Sequence, residues 1–358
     1  MTKKITFIIN SLEGGGTEKH LLQLVRFLKK KYKICIFAFK SGRLRQLFIN
    51  ENIEVSIPKQ NKNGIFFLIK FLLTNTTDFY HFFLPKAYII GSLMTFFSSK
   101  KKIMSRRSLN NYHMKYFNIS LYIEMFLHKK MDLILTNSKL INDQLIEREG
   151  VKKNKVLMIK NFFKPSKKKI NLKKKLGLKC SDRIFGLVAN LIPYKNHLHI
   201  LKACVNLNSK NWKLLFIGED RNNYKLKLEQ EIKKLDLEKN IIFTGFLDNI
   251  EMYLSDLEFI VNASSEEGSS NSLLQALASG VPILASNIKT NKEFVEHEKN
   301  GFLFKKGNIE DLRKYLELFL NLKDIKNMRI RSKQIFYKRF DLKKSINDYF
   351  EVYKKLID

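Results

Sequence analysis

The chain has 358 residues, 44% of them hydrophobic, with 66 basic and 34 acidic side chains for a net charge of +32. That length exceeds one comfortable hydrophobic core and predicts two domains; the three cysteines, Cys35, Cys180 and Cys204, exclude a disulfide framework and fit a reducing compartment. The charge predicts attraction to polyanions, and nucleic acid is suggested by charge alone, with no recognition module to support it.

The N-terminus, MTKKITFIIN, reads as a first strand and lacks the apolar stretch and cleavage site of a secretory signal, and the apolar runs are cut by Lys70, Asp78, Lys86 and Lys100, so no bilayer-spanning helix is expected. Short apolar runs then alternate with amphipathic stretches, the pattern of βα units and parallel sheets. The predicted strands of the first half are Ile5–Asn10, Lys33–Phe39, Glu54–Ile57, Phe79–Phe83, Lys102–Arg106, Leu133–Asn137 and Val156–Lys160. Those of the second half are Ile184–Ala189, Trp212–Gly218, Ile241–Gly245, Phe259–Ala263 and Pro282–Ser286, so two α/β, Rossmann-like sheets are expected rather than one. Leu21, Leu24, Val25 and Leu28 recur at the spacing of one helix face, directly after a glycine loop. Asn161–Lys175, with its lysine run, reads as a linker, and Leu342, Ile346, Tyr349, Phe350 and Tyr353 predict a last helix behind an Asp341 cap.

Three stretches carry chemistry. Gly14-Gly15-Gly16-Thr17-Glu18 lies between a strand and a helix, where glycines let backbone amides approach an anion and the helix start adds partial positive charge. Val188 to His197 leaves the first strand of the second half and carries Lys195, a mobile point charge within reach of a diphosphate at the carboxyl end of a parallel sheet. Ser264-Ser265-Glu266-Glu267-Gly268-Ser269-Ser270-Asn271-Ser272-Leu273-Leu274-Gln275-Ala276 follows another strand, with a helix expected from about Ser272 to Gly280, so that its amides form a phosphate cradle. Glu267 before that helix suits a sugar hydroxyl and Gln275 one turn inside it a ribose hydroxyl, since each offers an acceptor oxygen.

In this order, and with Met131-Asp132-Leu133-Ile134-Leu135-Thr136-Asn137-Ser138 between them, these stretches resemble the retaining GT-B glycosyltransferases of the family 4 type, over nearly the whole chain. The resemblance implies two Rossmann-like domains facing each other across a cleft: residues 1–163 on the acceptor side, 164–340 binding the nucleotide sugar, and helix 341–358 returning to the first domain. It implies catalytic roles for Lys195 on the diphosphate and Glu267 on the transferred sugar. His81, at the end of the Phe79–Phe83 strand, is a further candidate to touch the donor sugar or the acceptor, with a core histidine among aromatics as the alternative. The resemblance also implies a donor site of Gly15, Gly16, Asn190, Gly218, Phe246, Leu247, Gly268, Ser269, Ser270, Asn271, Ser272, Leu273 and Gln275, with Phe246 and Leu247 by the nucleobase. Two departures stand out: the family's second glutamate is here Gln275, and its arginine five residues before the lysine is here Asn190.

Arg106 and Arg107 are candidates for further anion contacts. No D-x-D occurs, so no metal or other cofactor is expected; the lysine and the helix amides take over charge stabilisation. The expected donor is a UDP- or GDP-sugar, and the acceptor a glycan; the apolar, aromatic segments Gly64–Leu73 and Ala87–Phe97 among Lys59, Lys62, Lys70 and Lys100 to Lys102 suit docking on an anionic membrane surface with a polyprenyl-diphosphate-linked acceptor, with buried helices of the domain as the alternative. The expected role is cell-surface polysaccharide biosynthesis, of lipopolysaccharide, O-antigen or capsule, in the cytoplasm or peripherally on the inner face of the cytoplasmic membrane. The alternatives are a donor-binding but inactive member, separable by binding without turnover, and a nucleotide-sugar epimerase, separable by a product assay with nucleotide sugar alone.

Overall fold

The computed structural model describes residues 2–59, 64–109, 119–209, 211–220 and 223–357; Lys62 lies outside the described residues. The chain divides into two compact units, Met1–Phe162 with Leu342–Asp358, and Phe163–Asp341.

Unit 1 carries seven strands: β1 (Lys4–Ser11), β2 (Lys33–Lys40), β3 (Glu54–Ser56), β4 (Phe79–Phe83), β5 (Lys101–Arg106), β6 (Leu133–Thr136) and β7 (Val156–Met158). They pair in the order β3-β2-β1-β4-β5-β6-β7, parallel throughout. Parallel neighbours need crossovers, which puts helices on both faces and explains why β1, β2 and β4 are apolar almost without interruption. One face is covered by helices Gly16–Leu28 and Leu342–Ile357, the other by Gly64–Thr74, Pro85–Met94 and Ile119–His128. Helix Gly16–Leu28 buries Leu21, Leu24, Val25 and Leu28, as their spacing predicts, each contributing about 1.5–3 kcal/mol of apolar burial. The terminal helix buries Ile346, Tyr349, Val352 and Tyr353 in the same cluster. Its two tyrosine hydroxyls meet buried imidazoles, Tyr349 with His20 at 3.2 Å and Tyr353 with His81 at 2.8 Å.

Unit 2 carries β8 (Arg183–Val188), β9 (Trp212–Ile217), β10 (Ile241–Gly245), β11 (Ile260–Asn262), β12 (Ile283–Ser286) and β13 (Gly301–Phe304), in the parallel order β10-β9-β8-β11-β12-β13. The sequence pattern misses β13, which has only Phe302, Leu303 and Phe304 between charged flanks. Its first residue must be glycine, because a Cβ on Gly301 would lie 1.8 Å from the Ile283 carbonyl oxygen.

Each sheet begins in its middle, is laid down in one direction and then reverses. The reversal falls between β1 and β4 in unit 1, and between β8 and β11 in unit 2. Loops leaving the carboxyl ends of such a strand pair diverge to opposite faces and leave a crevice in which ligands bind.

Candidate active site

In unit 2 the crevice is bounded by the loops after β8 and β11. The β8 loop ends in a turn at Pro193–Lys195, and Asn196 then takes a left-handed conformation, φ 57°, that starts helix His197–Cys204. Asparagine tolerates that conformation better than most residues. Its side-chain amide donates to the Ala263 carbonyl at 2.8 Å, and the Ser265 amide donates to the Tyr194 carbonyl at 3.1 Å, so the two loops are tied together.

The tie brings Lys195 and Glu267, 72 residues apart, into contact: Lys195 Nζ lies 2.5 Å from Glu267 Oε1, with the two side chains 15% and 11% exposed. The same carboxylate oxygen accepts from Ser264 Oγ at 2.8 Å, with Asn262 Nδ2 at 3.5 Å. Burial pulls the lysine pKa down, but the Glu267 carboxylate, with Tyr194, outweighs it and leaves the pKa raised, so the ammonium is charged at neutral pH. Beneath the loop, Ser286 Oγ donates to the Ser264 carbonyl at 2.7 Å and Asn291 Nδ2 to the Ser286 carbonyl at 2.9 Å, both buried. The crevice therefore presents a held cation beside a held carboxylate.

Helix Asn271–Ser279 begins one residue before the expected Ser272 and ends at Gly280, φ 69°. Ser270 caps it: its hydroxyl accepts from the Leu273 amide at 3.4 Å and meets Ser272 Oγ at 3.0 Å. Leu273 is buried in the core and its amide is taken by the cap, so the expected contribution of that amide to a phosphate cradle is already spent within the helix start. The helix start carries partial positive charge there, suited to an anion. Gln275 lies half-buried one turn inside.

The remaining expected donor residues divide. Gly218 directly follows β9, and a Cβ there would stand 2.0 Å from the Ala189 carbonyl oxygen, so glycine is required by the approach of the β8 loop. Asn190, standing where the resemblance has arginine, accepts from the Glu219 amide at 3.3 Å and ties the β8 and β9 loops. Phe246 is half-buried, whereas the Leu247 side chain belongs to the hydrophobic core with Ile250 and Leu254. In unit 1, Gly15 caps helix Gly16–Leu28 and Gly16 is exposed. A Cβ on Gly15 would meet Glu18 Oε2 at 2.6 Å; Glu18 is buried and accepts from Ser11 Oγ at 3.1 Å.

Three expectations in unit 1 are corrected. His81 stands in the middle of β4, fully buried, with Nδ1 on Tyr353 and Nε2 on Ser105, both at 2.8 Å, so it is a core residue and not one that reaches a sugar. Burial, then the nearby Arg107 charge, holds its pKa well below the usual histidine value. Arg106 is buried in ion pairs with Glu124 at 2.7 Å and Glu149 at 3.0 Å, and does not face an external anion. Arg107, half-buried, donates to Asn161 Oδ1 at 2.6 Å and is hydrogen-bonded to Tyr349, so it too is engaged inside unit 1.

Sequence reasoning missed Asn196, Asn262, Ser264, Ser286 and Asn291. Only Asn196 had a readable signal, an asparagine between a turn and a helix; Asn262 and Ser286 are single polar residues at strand ends, Ser264 lies in the loop after β11 without a role of its own in the pattern, and Asn291 starts a short turn after β12.

Two parallel-sheet units with reversing strand order define the GT-B fold, and residues 168–335 match the model of the Glycosyl transferases group 1 family. The N-acetylgalactosamine-N,N'-diacetylbacillosaminyl-diphospho-undecaprenol 4-alpha-N-acetylgalactosaminyltransferase of Campylobacter jejuni is 25% identical over 89% of this chain and 90% of its own length. The UDP-Gal:alpha-D-GlcNAc-diphosphoundecaprenol alpha-1,3-galactosyltransferase of Escherichia coli is 29% identical over 48% of this chain and 44% of its own. Among solved structures, Anabaena HepE in complex with UDP and glucose superposes with a TM-score of 0.88 at 19% identity, covering 99% of this chain and 100% of that one. Together these matches support a glycosyltransferase of the GT-B fold.

Proposed function

We propose that the chain is a family 4-type glycosyltransferase that moves a hexose or related sugar, with retention, from a UDP- or GDP-sugar to an acceptor hydroxyl. The observation that carries this is the Lys195–Glu267 contact at the reversal point of the unit 2 sheet, beside the start of helix Asn271–Ser279. In the reaction the bond from the anomeric carbon to the β-phosphate oxygen breaks, and its electron pair leaves with the nucleoside diphosphate. A new bond forms to the acceptor oxygen, whose proton is released. The charge that builds on the diphosphate meets a fixed ammonium and helix amides without reorganisation, which lowers the barrier. On this reading Lys195 exchanges the carboxylate for a phosphate oxygen as donor binds, and frees Glu267 to orient sugar hydroxyls. No metal is needed for that neutralisation, and Gln275 holds the ribose.

The Campylobacter jejuni and Escherichia coli relatives are both named for diphosphoundecaprenol-linked sugars, and a Staphylococcus aureus relative is a capsular polysaccharide biosynthesis glycosyltransferase. These names favour a polyprenyl-diphosphate-linked glycan as acceptor, in polysaccharide biosynthesis at the cytoplasmic face of a membrane. Lys195→Ala and Glu267→Ala should each lower the transfer rate by roughly 100- to 1,000-fold with the fold intact. Near-normal rates in both variants would defeat the assignment, anomeric proton couplings of the product test retention, and donor binding without turnover of any donor would favour the inactive alternative.

A further inference from the structure

The outer side of the three helices on one face of the unit 1 sheet is apolar. Helix Gly64–Thr74 turns Leu68 and Phe71 toward the sheet, while Phe66, Ile69 and Leu73, spaced three and four residues apart, form a stripe on the opposite side. Phe66 is 70% and Leu73 83% exposed. Helix Pro85–Met94 packs between this helix and Ile119–His128, and it ends in exposed Met94 and, three residues on, Phe97, which is 98% exposed. Phe97 leans edge-on against Phe96 at 5.2 Å, and Phe96 stacks on Phe126 of the third helix at 6.1 Å. Phe96, which also packs against the core below, therefore links Phe97 to Phe126 across that helix pair, and Phe97 and Phe126 themselves are left exposed.

Its charge points to one kind of occupant. Residues 64 to 130 hold ten basic side chains and two acidic ones, Asp78 and Glu124. Glu124, the only acid on the three helices, is fully buried against Arg106. Exposed Lys70, Lys86, Lys100, Lys129 and Lys130 lie on or next to these helices, and the Lys130 ammonium sits over the Phe96 ring at 4.8 Å. Aromatic and aliphatic side chains with a lysine rim and no exposed acid on the helices match an anionic lipid surface, where apolar tips enter the acyl boundary and ammonium groups stay among head-group phosphates. No helix among the described residues is long and apolar enough to cross a membrane, so this contact is with the surface. We propose that the face built by Phe66, Leu73, Met94, Phe97 and Phe126 docks unit 1 on an anionic bilayer. The inference deepens the reading of a lipid-linked acceptor, because a chain resting on this face meets such an acceptor by diffusion in two dimensions.

The test is co-sedimentation of the full chain with phosphatidylglycerol–phosphatidylcholine vesicles and with phosphatidylcholine alone, at low and high salt. The wild type should bind the anionic vesicles at low salt and weaken as salt screens the lysines. The pair Phe66→Ser and Phe97→Ser should bind roughly tenfold more weakly. Removing Lys70, Lys100 and Lys129 charges with glutamine should cost roughly fivefold each. Leu226→Ser, at an exposed leucine of unit 2, should change nothing. All these side chains are exposed, and unchanged thermal unfolding and UDP binding verify the fold. Absence of binding to anionic vesicles overturns the proposal, as does equal binding by the wild type and the phenylalanine pair. A concentration-dependent dimer that the phenylalanine pair abolishes also overturns it, because a second copy would then cover the face. Transfer to a soluble glycan, assayed on the same preparations, keeps the two readings apart: loss of docking with transfer intact sinks only the docking, and docking without transfer sinks only the catalytic reading.

Discussion

Acidification from pH 7 to pH 5 should destabilise unit 1 more than unit 2. His20, His81 and His128 are buried in unit 1 and His197 in unit 2. Burial, then a neighbouring cation, pushes His128 and His197 down to about 3, and holds His20 and His81 well below the usual value. In the unfolded chain each titrates near the ordinary histidine value of 6.5. Above that pH both states are neutral and these groups leave stability unchanged. Below it the unfolded chain takes up protons that the folded chain refuses, so stability falls as pH falls from 6.5 toward the folded values. At pH 5 the linkage costs about 2 kcal/mol for His128 in unit 1 and about 2 kcal/mol for His197 in unit 2, and His20 and His81 add further loss of the same sign in unit 1 alone. Glu149 has the opposite sign: burial raises its folded pKa, so its protonation favours the folded state and returns part of the loss at the acid end. Hydrogen exchange read by mass spectrometry, corrected for intrinsic rates, resolves the two sheets. Protection of β9 and β12 should fall by roughly thirtyfold at pH 5, and that of β1 and β4 by more than that. Equal losses in both sheets, or none in either, would refute the reasoning.

Arg106→Met removes a cation that pairs with two buried carboxylates and should cost about 3–5 kcal/mol in urea unfolding of unit 1 while leaving UDP binding unchanged; a tenfold loss of UDP affinity would instead restore Arg106 as an anion contact. Gln275→Glu gives the ribose a charged acceptor and should tighten UDP severalfold by calorimetry, since charge-assisted hydrogen bonds are the stronger ones; a tenfold weakening would remove Gln275 from the ribose site.

Strands were legible because parallel strands buried on both faces are written as nearly pure apolar runs, as in Phe79–Phe83, and β13 was not because three apolar residues between charges do not rise above a loop. The site was legible as an ordered set of loops at strand ends. Its central contact was not, because the pairing of Lys195 with Glu267 depends on β8 and β11 being neighbours, a fact of topology. The same limit applies to Arg106, whose partners Glu124 and Glu149 come from distant segments. His81 was misread although a signal existed: alternation along β4 puts it on the face of Phe79 and Phe83, both core residues. Polar residues at or just past strand ends, such as Ser286 and Ser264, carry no pattern that distinguishes a loop brace from ordinary solvent contact.

The central claim is that Lys195 and the mouth of helix Asn271–Ser279 together receive the leaving diphosphate. A crystal structure of the chain with UDP tests it most directly. The expected complex has a phosphate oxygen within hydrogen-bond distance of Lys195 Nζ, the Lys195–Glu267 contact opened, and the other phosphate against the backbone of residues 268–272. A UDP bound away from the β8 and β11 loops, with that contact still closed, would contradict it.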